Sequence, residues 1–169
     1  MNVADFAAYL DGIGTHLASG ALPNTLEKCY ATIIEGEKQI FADKVGPDGE
    51  MWTERQERVE THPLMNKTGA LMAAATGGPG HVKRIGDREV IAGVQKGTSG
   101  SLAGAAIHQY GGTIRAVRAN FLRFRLNGKW VMTKQVKIPA RPYIGINPET
   151  HSKLYDDIGD GVMAEVFHR

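Results

Sequence analysis

The dipeptide Asn127-Gly128 constrains this chain more than any other feature, because the segments on both sides of it alternate apolar and polar residues rich in β-forming side chains. Asn-Gly supplies the two positive φ values of a type I′ turn, whose twist matches that of paired strands. A hairpin over about 120–126 and 129–138 follows. Counting outward from the turn opposes Leu126 to Lys129, Arg125 to Trp130, Phe124 to Val131, Arg123 to Met132 and Leu122 to Thr133. Successive side chains point to opposite faces of a strand, so Leu122, Phe124, Leu126 and Val131 make an apolar face. Arg123 and Arg125 share the other face with Trp130 and Met132. Arg125 over Trp130 is the expected cation–π pair.

The hairpin sits inside a wider anomaly. The 59 residues from Val90 to Pro148 contain no Asp or Glu, yet they carry nine cations: Lys96, Arg115, Arg118, Arg123, Arg125, Lys129, Lys134, Lys137 and Arg141. The remaining residues hold 11 cations against 18 acids, so segment charges of +9 and −7 hide beneath a net charge of +2. Such segregation suits a nucleic acid or acidic partner, or subunits that meet basic face to acidic face. Local neutralisation on folding is the plain alternative.

Around this segment the chain reads as a single α+β domain over 1–169, mostly antiparallel sheet with a long basic hairpin, packed by N-terminal helices and one C-terminal helix. With 169 residues, 42% of them apolar, one core suffices without staples. Val3, Phe6, Leu10, Ile13 and Leu17 recur at helical spacing before Gly20; Leu26, Tyr30, Ile33, Ile34, Phe41 and Val45 continue it to about Lys44, with Glu35, Glu37 and Lys38 on the polar side. The helical part thus covers about 2–44. Sheet and loops cover about 46–146, opening with the turn Gly46-Pro47-Asp48-Gly49 and with Trp52 anchoring its exit. Thr53 to Thr61 is charged and reads as a loop. Thr68 caps a short helix over 68–73, ended by Gly77-Gly78-Pro79-Gly80, and residues 82–94 form a second hairpin around Gly86-Asp87. Asn147-Pro148-Glu149 opens the last helix, about 148–167, with Leu154, Ile158, Val162 and Val166 as its packing stripe.

The chain carries few signs of reactive chemistry. Cys29 is the only cysteine, which excludes an internal disulfide and paired-cysteine motifs, and it reads as a small buried hydrophobe. The six histidines lack the close spacing of a metal site, the Gly-rich stretch from Gly93 to Gly112 lacks phosphate-loop and dinucleotide patterns, and Asp156 and Asp157 read as solvated neighbours. No cofactor or metal is expected, and no enzyme. No apolar run approaches a membrane span and the N-terminus lacks signal-peptide character, so no membrane role is expected. His108 reads as a hydrogen-bonding post for an adjacent loop. Arg141, stiffened by Pro139 and Pro142, reads as held for a carboxylate of a helix or neighbouring subunit.

Gly46-Pro47-Asp48-Gly49 with Trp52, 64–71 (LMNKTGAL), 106–112 (AIHQYGG) and 138–145 (IPARPYIG) occur in that order. Together they resemble the virion-morphogenesis or tail-completion family of tailed bacteriophages, over about residues 40–167. The resemblance implies a structural protein of the virion neck or head-proximal tail, made in the host cytoplasm and acting as a homo-oligomeric ring. Six-fold symmetry is the expectation, with twelve copies the alternative. Its implied partners are head–tail connector proteins, tail tube or sheath proteins, and genomic DNA in the channel. The motif residues Trp52, His108, Gln109, Gly111, Gly112, Arg141 and Pro142 are structural candidates. Arg115, Arg118, Arg123, Arg125, Lys129, Lys134 and Lys137 are candidates to line a DNA lumen or clasp an acidic neighbour, since phosphate attraction is independent of base sequence. The competing readings are a free nucleic-acid-binding protein and, further off, a small hydrolase built on His108.

Overall fold

The computed structural model describes residues 22–56, 62–97 and 104–167, with the single positions 11, 14, 15 and 102. Asp11, Gly14 and Thr15 are helical; the rest of the first expected helix lies outside the described residues. Helix α1, Pro23–Asp43, starts with Pro at its first turn and closes where Lys44 turns left-handed (φ 58°), its N–H donating to Ile40 O at 2.9 Å. The chain then reverses through Gly46-Pro47-Asp48-Gly49. Gly49 N donates to Gly46 O (2.9 Å) and Gly46 N to Glu50 O (2.8 Å), and a bridge between Val45 and Met51 delivers Trp52 into the core as expected.

The core gathers Ile40, Phe41, Trp52, Ala75, Ala105 and Tyr143, with Leu64, Met65, Leu71, Met72, Val94 and Ile144 packed on it. Phe41 stands edge-on to Trp52 at 5.4 Å and tilted to Tyr143 at 5.9 Å. Cys29 is buried, and burial pushes its thiol up, as befits an apolar filler.

Helix α2, Ala70–Ala75, begins one residue later than a cap at Thr68 would set it. Gly69, left-handed at φ 76°, takes the cap position, and Thr68 accepts from Ala70 N through its hydroxyl at 3.4 Å. Strands β1, His81–Ile85, and β2, Val90–Val94, form the second expected hairpin, paired from His81↔Val94 to Ile85↔Val90 around Gly86 N–H donating to Glu89 O. Helix α3, Ala105–Tyr110, has no counterpart in the sequence reading: six residues show too little periodicity to register.

The basic hairpin is present in the register read from the turn. Strands β4, Leu122–Leu126, and β5, Lys129–Thr133, pair from Leu122↔Thr133 to Leu126↔Lys129, with Asn127 and Gly128 both at positive φ. The second strand does not run unbroken to Ile138, however. It splits at Lys134, and β6, Gln135–Ile138, pairs instead with β3, Gly112–Arg115. Residues 116–121 loop out opposite Lys134, tied by Ala116 N–H to Lys134 O at 3.0 Å, and Thr133 Oγ1 donates to Gln135 O at 2.9 Å across the break. The result is one long ribbon with an interruption. All pairing among the described residues is antiparallel, in three two-stranded ladders rather than one sheet, and the fold is α+β.

Helix α4, Pro148–Phe167, is capped as expected, Thr150 N–H donating to Asn147 Oδ1 at 2.7 Å. Its packing differs from expectation. It lies antiparallel along α1 through small and polar residues: Gly36 faces Thr150, Thr25 faces Gly161, and Thr32 donates to Asp157 at 2.5 Å. Asp157 is therefore buried rather than solvated, with Lys28 Nζ at 3.0 Å. Burial alone would raise its carboxyl, but the Thr32 hydroxyl and the Lys28 ammonium more than offset that and hold it below the usual range. Leu154 and Val162 are half-buried, whereas Ile158 is turned outward and the side chain of Val166 lies outside the described residues.

Candidate functional site

The motifs that are far apart in sequence meet in space. The turn after α1, the end of α3 and the segment 139–145 form one clasp. Trp52 Nε1 donates to Pro142 O at 2.7 Å. Gln109 inserts its amide between the chains: Oε1 accepts from Tyr143 N (2.9 Å) and Ile144 N (3.1 Å), and Nε2 donates to Ile144 O (2.9 Å). Tyr143, almost fully buried, donates through its hydroxyl to Ala105 O at 3.1 Å, and burial, with smaller contributions from Tyr110 and Glu37, pushes that phenol up to about 12. Segment 139–145 has no strand partner of its own, so these side chains supply the bonds its backbone needs when buried.

Gly111 and Gly112 follow from the same closeness. Gly111 sits at φ 69°, and a Cβ there would stand 2.8 Å from Ala140 N, so the crossing of α3 over residues 138–140 requires its absence. Gly112, at φ 157°, leads directly into β3.

His108 and Arg141 serve differently from the sequence reading. The post is the backbone of His108, whose carbonyl accepts from Arg141 N at 2.7 Å. Its ring Nδ1 is sealed without a partner, and burial, then the charge of Arg141, hold the imidazole below its ordinary value, hence neutral at neutral pH. Among the described residues of its own chain Arg141 meets no carboxylate. It is 6% exposed and donates through Nε to Thr53 O (2.7 Å) and through an Nη to Glu54 O (3.3 Å), stapling the loop after Trp52. Both residues line a groove of about 320 Å³ with Arg55, His62, Asn66 and Lys67, in which no lining residue among those described is acidic. A His-based hydrolase needs a carboxylate or nucleophile within hydrogen-bond reach of the ring, and Nδ1 of His108 has no such partner among the described residues. Among the described residues no three His, Cys, Asp or Glu side chains cluster as a metal set.

The cationic candidates form the second feature. Arg115 lies on β3, Arg118 in the interrupting loop, Arg123 and Arg125 on β4, Lys129 at the start of β5, Lys134 in the break between β5 and β6 and Lys137 on β6; all seven are exposed. Five cations elsewhere are compensated: Lys28, Lys38, Lys83, Arg84 and Lys153 each pair with a carboxylate. None of the seven forms an ion pair with a described residue. The two faces of β4–β5 separate as read from the sequence, Leu122, Phe124, Leu126 and Val131 half-buried and Arg123, Arg125, Trp130 and Met132 exposed. Arg125 does stand over Trp130, at 5.6 Å, but Arg123 is nearer, at 4.2 Å, by a diagonal contact across the ladder. The tip is anchored to its own chain, Asn127 Nδ2 donating to Gln56 O at 3.3 Å.

Glu37 and Tyr143 escaped the list of candidates, whereas Gln109 stood in it only as a member of the motif 106–112. Glu37, assigned to a polar helix face, is 1% exposed with Oε2 unpartnered, and burial pushes its carboxyl up to about 8. Tyr143 and Gln109 carry the clasp; the only signal for them was membership of the ordered motifs.

Comparison with known proteins matches residues 5–162 to the phage virion morphogenesis family. No curated protein and no solved structure matches the chain.

Proposed function

The chain belongs to the phage virion morphogenesis family, and on that premise we propose that it is a non-enzymatic ring protein of the virion neck, completing the tail and joining it to the DNA-filled head. The observation that supports this reading is the ribbon of seven exposed cations that no carboxylate of the described chain neutralises. A fold that compensates Lys28, Lys83 and Lys153 locally, yet leaves a continuous acid-free ribbon uncompensated, calls for a negative surface supplied from outside. At the neck that surface is available twice, as genomic phosphate in the channel and as the acidic remainder of the next subunit. The clasp of Trp52, Gln109, Arg141 and Tyr143 gives the ribbon a rigid base, as a ring under the load of packed DNA requires.

Six-fold closure is the expected symmetry, with connector proteins on one side and tail tube or sheath proteins on the other. Phage lacking this protein should accumulate filled heads and finished tails that stay apart, and supplying the chain should join them. Normal infectious particles formed without it would contradict the reading. The same ribbon favours a second reading, a free nucleic-acid-binding protein. A monomer that binds duplex DNA with an affinity falling steeply in salt, and is missing from particles, would establish that one.

A further inference from the structure

We infer that the outward face of β4–β5 docks on the turn after α1 of a second copy of this chain, joining neighbours head to tail; the inference rests on the ring reading above. The face presents Arg123, Arg125, Trp130 and Met132 together. Trp130 is 58% and Met132 63% exposed, and both guanidiniums stand over the indole. Exposed Trp and Met set among Arg is the composition of a protein contact, in which Arg and Trp most often carry the binding energy. A wall past which a duplex slides needs hydrated cations and gains nothing from exposed indole and thioether. Residues 112–138 also hold five of the twelve large apolar side chains exposed among the described residues, so apolar exposure concentrates where charge is uncompensated.

The complementary surface lies on the same chain. Glu50 and Glu54 are exposed and in no ion pair with a described residue, and Met51 beside them is 79% exposed. Neither acid is neutralised by the chain's own ribbon. The two patches match in charge and in apolar content. Because they are different patches, their contact is heterologous, the kind that closes rings.

The test uses two full-length variants, Arg123→Glu/Arg125→Glu and Glu50→Lys/Glu54→Lys, with mass read by sedimentation and folding by thermal midpoint. Wild type should associate. Each variant alone sets like charges across the contact and should associate about a hundredfold more weakly at an unchanged midpoint. An equal mixture of the two alternates restored contacts and should recover the wild-type mass. As a second measurement, Met51→Cys/Met132→Cys should form a disulfide between copies under mild oxidation. Variants that assemble like wild type, or a mixture that stays apart, would overturn the docking while leaving the ring reading in place; a wild-type chain monomeric at every concentration overturns both. Loss of duplex DNA binding at unchanged mass in Arg123→Glu/Arg125→Glu would assign the face to nucleic acid instead.

Discussion

Gln109 and Glu37 show how single residues decide local structure in opposite ways. Gln109 satisfies two backbone donors and one acceptor of a segment that has no strand neighbour, so its cost of burial is met by three hydrogen bonds. Glu37 is buried with one oxygen unmatched, and its carboxyl moves from the ordinary 4.5 to about 8. Between those values the folded chain holds a proton that the unfolded chain has released. The contribution of Glu37 to stability is therefore fully present below pH 4.5 and is lost as pH rises to 8. Glu37→Gln, which fixes the neutral shape, should melt with wild type at pH 4 and above it at pH 8, by on the order of a few kcal/mol. Thermal unfolding at the two pH values checks this; parallel melting curves at both would refute it. None of this was legible beforehand, because a glutamate flanked by Gly36 and Lys38 looks like any solvated helix position.

At the scale of elements, legibility followed the strength of local rules. Both hairpins, the register around Asn127-Gly128 and the capped start of α4 emerged from turn and cap chemistry acting over a few residues. What stayed hidden depends on contacts distant in sequence: α3, the split of the ribbon at Lys134, and the packing of α4 on α1 through Gly36, Thr150, Asp157 and Gly161. Of the two glycines inside α4, Gly159 has open space around it, while a Cβ on Gly161 would collide with Thr25 and one on Gly36 with Thr150. Gly36→Ala should therefore destabilise by about 1–3 kcal/mol despite the better helix propensity of Ala. Gly159→Ala should stabilise by up to ~1 kcal/mol. Denaturant melts of the two variants settle the contrast, and a stabilising Gly36→Ala would show that the helices are not in close contact there.

For the molecule as a whole, segregated charge was the most informative property of the sequence. Composition averages it away to +2, whereas position reveals an acid-free segment of 59 of the 169 residues. The structure sharpens it, because Lys28, Lys38, Lys83, Arg84 and Lys153 outside the ribbon pair with carboxylates, whereas none of the seven cations along it pairs with a described residue. The ordered motifs were legible as a family signature, while the reason for their association, a clasp at the base of the ribbon, required the fold. The most direct test of the account is a high-resolution map of the neck of intact particles. It should show this chain closed into a ring at the head–tail junction, with Arg115, Arg118, Arg123, Arg125, Lys129, Lys134 and Lys137 against DNA phosphates or against acidic side chains of neighbouring subunits. A ring in which these side chains point into solvent, or a junction without this chain, would contradict it.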